Sequence, residues 1–138
     1  MWSFENKVFE PTPEYLEPWV GFVYEITDLV NDKKYIGKKL FWSVKKLPPL
    51  KGKKRKRIKR VQSDWMNYYG SNEKVKLLVE NEGSSRFKRD IIRLCKSKGV
   101  MSYFEAKEQF DKEVLLSDKY YNEFIGMKIH SKHVRGKI

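Results

Sequence analysis

Val20-Gly21-Phe22-Val23-Tyr24-Glu25-Ile26-Thr27 and, shortly after, Lys34-Tyr35-Ile36-Gly37-Lys38-Lys39-Leu40-Phe41-Trp42 decide the fold. Both runs are rich in β-branched and aromatic residues, the composition of strands. Asn31-Asp32 between them supplies turn chemistry, so the two runs are expected to form an antiparallel hairpin. In such a hairpin Tyr24 and Tyr35 lie on adjacent strands. If they share a face, both hydroxyls can converge on one phosphate a few ångström from the sheet.

Working outward, an isolated hairpin needs a third partner to be stable. Phe87 to Cys95 is ambiguous, because Phe87, Ile91, Ile92 and Leu94 partly fit helical spacing. Ile91-Ile92-Arg93-Leu94-Cys95 also makes a good central strand, and that reading is preferred. A short helix is expected over Trp65–Tyr69 behind Ser63-Asp64, and another through Val75, Leu77, Leu78 and Val79, capped by Ser71 or Asn72. The clearest helix spans Ser102 to Ser117, where Tyr103, Ala106, Phe110 and Val114 form one apolar stripe. The fold class is therefore α/β of the α+β kind, with a central three-stranded antiparallel sheet flanked by helices. Residues 1–18, with three prolines, read as an arm wrapping over a domain at 19–126, and the polar residues 127–138 as a tail.

The chain has 138 residues and a formal net charge of +12. Twelve Lys and Arg fall between Lys38 and Arg60 with no Asp or Glu among them, and the remaining eighteen basic residues match the eighteen acidic ones. All the net charge thus sits in residues 38–60, most of it in a basic insertion at 45–62. Lys45, Lys51, Lys53, Lys54, Arg55, Lys56, Arg57, Lys59 and Arg60 form a basic run expected to be mobile without a partner, since few apolar residues accompany it. Such density suits a polyphosphate partner, bound with a steep salt dependence. A nuclear import signal or a merely solvated face is the plainer alternative. The single cysteine, Cys95, reads as a small buried hydrophobe. The N-terminus lacks the pattern of a signal peptide and no apolar run is long enough to span a bilayer, so a cytoplasmic protein without a membrane partner is expected.

Phe22-Val23-Tyr24 followed after ten residues by the literal Tyr35-Ile36-Gly37 resembles the paired motif of the GIY-YIG nuclease superfamily. Ser63-Asp64-Trp65 with Tyr68-Tyr69-Gly70-Ser71 looks like a subgroup of small phage-encoded members, whose setting would be the bacterial host cell. The resemblance covers roughly residues 20–125. It implies a DNA endonuclease in which Tyr24 is the general base or water positioner and Tyr35 supports it. Glu105 would hold one Mg²⁺, with Mn²⁺ as a substitute, and Asn122 would brace that end of the site. Mg²⁺ suits phosphodiester hydrolysis because it takes few protein ligands and keeps its waters. The substrate is duplex or branched DNA, RNA ranking lower for want of an aromatic platform; oligomeric state stays open.

The chain departs from the family pattern at one cation. An arginine is usual about ten positions after the second tyrosine, and Lys45 stands there. Lys39, Lys45 or an arginine of the 55–60 run could contact the phosphate. Lys39 is favoured, being on a rigid strand and on the Tyr35 face. Glu105 has a competing role as the last member of a Ser102-Tyr103-Phe104-Glu105 capping box. Tyr69 could reach the site as a proton donor or DNA contact, or could belong with Trp65 to an apolar stripe. The missing arginine also leaves room for a catalytically silent DNA-binding accessory protein.

Overall fold

The computed structural model describes all 138 residues. The hairpin forms as the sequence indicates, from β3 (Gly21–Asp28) and β4 (Lys34–Leu40), with Tyr24 opposite Gly37 and Ile26 opposite Tyr35. Asp32 closes the turn with φ 61°, a left-handed conformation Asp tolerates. β7 (Phe87–Cys95) pairs antiparallel with β3 on its other side, confirming the strand reading of that ambiguous run.

The sheet does not stop at three strands. β1 (Trp2–Phe4) pairs parallel with β7, and β2 (Lys7–Val8) folds back antiparallel on β1, giving a five-stranded mixed sheet in the order β2-β1-β7-β3-β4. Within the expected arm, residues 2–4 and 7–8 are thus strands of the sheet, while Phe9 and Leu16 pack on the aromatic core. Trp2 explains why: its ring is buried between Phe22, Tyr24 and the Arg89 guanidinium, and its Nε1 donates to the Trp65 carbonyl at 2.7 Å. Thr12 caps a single helical turn, α1 (Pro13–Leu16).

The basic insertion also departs from expectation. β5 (Trp42–Leu47) and β6 (Arg57–Gln62) form a separate two-stranded antiparallel ribbon, with residues 48–56 at its tip. Trp42 and Val44, alternating with Ser43 and Lys45, favour a strand despite the charge. Trp65–Asn67 is a single 3₁₀ turn, and α2 (Glu73–Glu82) starts at Asn72, whose side chain accepts from Lys74 and Val75 N–H.

The last helix, α3 (Lys98–Asp111), begins four residues before the expected start, capped by the Ser97 hydroxyl on Val100 N–H. Its buried residues are Val100, Met101, Ala106 and Gln109; Phe110 is exposed, so the apolar stripe read from the sequence is displaced. α3 covers one sheet face, against Val23, Ile36 and Cys95. The opposite face carries the larger aromatic core of Phe22, Tyr24, Phe41 and Trp65. β4 is therefore an edge strand with different partners on its two faces.

Candidate active site

β4 makes the site because it is an edge. Its free side leaves the Ile36 amide and carbonyl without a neighbouring strand, and buried backbone groups of that kind must find partners. Asn122 supplies both: its Oδ1 accepts from Ile36 N–H at 3.0 Å and its Nδ2 donates to Ile36 O at 2.8 Å. Gln109 of α3 adds a second donor to the same carbonyl at 2.9 Å. Asn122 is thus a brace, with both amide atoms committed to the backbone of the Tyr35-Ile36-Gly37 segment.

Tyr24 and Tyr35 share one face and lie diagonally across β3 and β4, ring centroids 6.3 Å apart. Gly37 lets them meet. A β-carbon there would strike the Tyr24 hydroxyl, lie 2.7 Å from Tyr24 Cζ and 3.1 Å from Tyr35 Cε1. Gly70, at φ 90°, closes the other side, facing both rings where any side chain would stand about 3.3 Å away. Tyr24 is only 1% exposed and lies behind Tyr35, which lines an open cavity of about 350 Å³. The Tyr35 hydroxyl shares a 3.0 Å hydrogen bond with Ser71.

Glu105 enters the same cavity from α3, on the far face of the sheet. It is not a capping residue. Ser102 lies inside the helix, and its hydroxyl accepts from Lys38 Nζ at 2.8 Å. Lys38 Nζ also stands 3.8 Å from the Glu105 carboxylate. Around the rim of β4 the cavity therefore gathers Tyr35, Lys38, Ser71, Glu105 and Gln109, with Glu73 and Glu123 at its border.

The electrostatics follow from burial. Desolvation pushes the Tyr24 hydroxyl well above the ordinary tyrosine range, reinforced by Tyr68, Tyr35 and Glu105. Tyr35 is raised as well, by burial first, with the Ser71 hydrogen bond pulling the other way. With no cation bound, both tyrosines thus stand as neutral hydroxyls at neutral pH. Burial also raises the Glu105 carboxyl, and Lys38 only partly offsets it.

The cation assignments change accordingly. Lys39 shares the Tyr35 face, but it is paired with Asp64 at 2.6 Å and sits over the Tyr68 ring at 4.2 Å. Lys45 and the 55–60 arginines stand on the β5–β6 ribbon and none lines the cavity; Arg60 is held by Glu17 and the Trp42 ring. Tyr69 is turned away, stacked 4.1 Å from the Arg89 guanidinium in a different pocket with Trp2. Lys38 and Gln109 are the members sequence reasoning passed over. The four-residue step from Glu105 to Gln109 puts them on one face of α3, a signal that was available.

A family model described as "Putative endonuclease segE, GIY-YIG domain" matches residues 2–125. The chain belongs to the SegE GIY-YIG family. Within that family it is similar to the Enterobacteria phage T4 protein named "Putative endonuclease segE", at 29% identity over 103 residues, 73% of this chain. The chain spans 39% of that relative's length. No solved structure matches. The SegE match starts at residue 2, in keeping with the role of Trp2 and β1 in the sheet. No helix of this GIY-YIG domain is long and apolar enough to cross a membrane.

Proposed function

We infer that the chain is a metal-dependent DNA endonuclease that hydrolyses phosphodiester bonds at the rim of β4. The observation carrying this reading is that Tyr35, Lys38 and Glu105, from opposite faces of the sheet, line one open cavity with Tyr24 packed directly behind.

The donor set fits Mg²⁺, or Mn²⁺ in its place. Mg²⁺ is commonly held by one or two carboxylates plus phosphate oxygens and waters. Glu105 offers one carboxylate in a cavity wide enough for those waters, and no cluster of three acidic, His or Cys ligands competes to cage the ion. When bound, the cation polarises the phosphate and lowers the pKa of water at the site. The protein supplies orientation. Tyr35 presents a neutral hydroxyl, steadied by Ser71, that holds the attacking water against the phosphate. Tyr24 fixes the Tyr35 ring and offers a second hydroxyl behind it. Lys38 places positive charge beside Glu105, where charge builds on the phosphate oxygens. Asn122 and Gln109 fix the backbone carrying Tyr35.

One feature favours a second reading. The only cation in the cavity is a lysine already engaged by Ser102 and Glu105, which suits a DNA-binding module without catalysis. Supercoiled plasmid with Mg²⁺ separates the two. The endonuclease reading predicts nicking by the wild type that is lost in Glu105→Ala. Wild-type protein that binds plasmid but leaves it supercoiled, with Mg²⁺ or Mn²⁺ at any salt, supports the silent module.

A further inference from the structure

The β5–β6 ribbon pairs with no other strand, and each of its strands runs six residues, about 20 Å at the usual rise. Only its root is fastened. Trp42 Nε1 donates to the Trp19 carbonyl at 2.8 Å, and Arg60 stacks 3.8 Å over the Trp42 ring while pairing with Glu17 at 3.2 Å. Beyond the root nearly every side chain is exposed.

The ribbon is built against its own stability. A lone two-stranded hairpin is marginal in water. Here Lys45 stands directly opposite Lys59, a like-charge pair that disfavours the ladder. No acidic residue occurs from Lys38 to Arg60 to answer the charge. The register also sorts the side chains. Trp42, Val44, Lys46, Ile58 and Arg60 share one face, and Ser43, Lys45, Leu47, Arg57, Lys59 and Val61 the other, where Leu47 and Val61 are half-buried. Val44 and Ile58 are 66% and 71% exposed, so this apolar pair contributes nothing to the core.

Shape and chemistry select the occupant. Strands lie 4.7–4.9 Å apart, so a two-stranded ribbon with side chains fits the roughly 12 Å major groove of B-DNA and not the roughly 6 Å minor groove. The floor of that groove carries thymine methyl groups, the apolar feature an exposed Val–Ile pair can contact. The A-form major groove is too deep and narrow for such an entry, which excludes duplex RNA. Resting on the reading of the chain as a DNA-acting protein, we propose that the β5–β6 ribbon lies in the major groove of duplex DNA, with Val44 and Ile58 against thymine methyls and Lys45, Arg57 and Lys59 on the flanking phosphates. The ribbon thereby supplies a base preference that the cavity does not.

The test uses the 138-residue chain without divalent cation and compares an A·T-rich duplex with the same duplex carrying uracil for thymine. Wild type is expected to bind the thymine duplex more tightly, by about fourfold for each methyl contacted, the value of one buried carbon. Val44→Ser/Ile58→Ser removes that preference and leaves the salt dependence. Lys45→Gln/Lys59→Gln lowers the log–log salt slope by about two and leaves the preference. Equal wild-type affinity for the two duplexes overturns the proposal, as does equal affinity for duplex RNA. Plasmid nicking in parallel keeps the outcomes apart. Nicking without thymine preference refutes the groove assignment alone, and thymine preference without nicking refutes the enzyme alone.

Discussion

Replacing Asn122 by Ala removes the only side chain that satisfies both backbone groups of Ile36. Ile36 O keeps its bond from Gln109, but Ile36 N–H loses its acceptor inside the protein. A buried donor left unpaired costs about 1–3 kcal/mol, and the lost bond to the carbonyl adds about 1 kcal/mol, for a total of about 2–4 kcal/mol. Gln109→Ala is the internal control. It also loses one bond to Ile36 O, yet Asn122 remains on both groups, so the backbone cost is about 1 kcal/mol. Urea unfolding followed by far-UV circular dichroism reads the difference as a shift of midpoint at unchanged slope. If the brace positions Tyr35, the plasmid-nicking kcat of Asn122→Ala falls about a hundredfold, the cost of a misplacement of about 1 Å, while KM is kept. A purely structural asparagine leaves kcat of the folded fraction unchanged. That result, or equal destabilisation by the two variants, refutes the argument that the free edge of β4 is held for the site.

Three further outcomes follow from the same geometry. Gly37→Ala drives a β-carbon into Tyr24 and Tyr35; overpacking of this kind costs about 1–3 kcal/mol, and nicking by the folded protein falls further than that stability loss explains. Glu105→Gln removes a carboxylate whose pKa is raised by burial, then moderated by Lys38. A raised carboxyl makes the fold more stable in its protonated state, so wild-type stability declines as pH rises through the folded pKa. Without divalent cation the variant lacks that decline and melts higher than wild type at pH 8, read by thermal unfolding. Asp28 is buried, which pushes its pKa up, but Arg86, the Tyr121 hydroxyl and Val30 N–H outweigh this and hold it at about 2. From an unfolded value of 3.8 the difference is worth about 2 kcal/mol. It is present above pH 4 and lost as pH falls towards 2; acid unfolding of Asp28→Asn will show a weaker dependence over that window.

The β3–β4 hairpin was legible because its signals are local: β-branched and aromatic runs joined by Asn31-Asp32. β7 was legible by necessity, as the third strand the hairpin requires. β1 was not, since a run of three residues is too short to carry a local strand signal and its pairing depends on burying Trp2 among residues distant in sequence. The ribbon was hidden by its own charge, which outweighs the weak alternation of Trp42 and Val44 with Ser43 and Lys45. In the site, alternation put Lys39 with Tyr35 and favoured it, whereas Lys38, on the other face, is the lysine that lines the cavity. At an edge strand the two faces meet at the rim, so Lys38 reaches the cavity while Lys39 is engaged by Asp64 and Tyr68. The competing capping role of Glu105 fails because Ser97 starts the helix earlier, which leaves Glu105 facing the cavity.

The central claim is that Tyr35 and Glu105, on opposite faces of the sheet, act as one site. A double-mutant cycle on plasmid nicking tests it, with Tyr35→Phe, Glu105→Ala and the pair measured under Mg²⁺ in one buffer. Residues acting as a unit are strongly non-additive. The account predicts that each single change lowers the rate by about a hundredfold or more and that the double variant is no slower than the slower single. Losses that multiply, or a Tyr35→Phe protein that nicks like wild type, would contradict it.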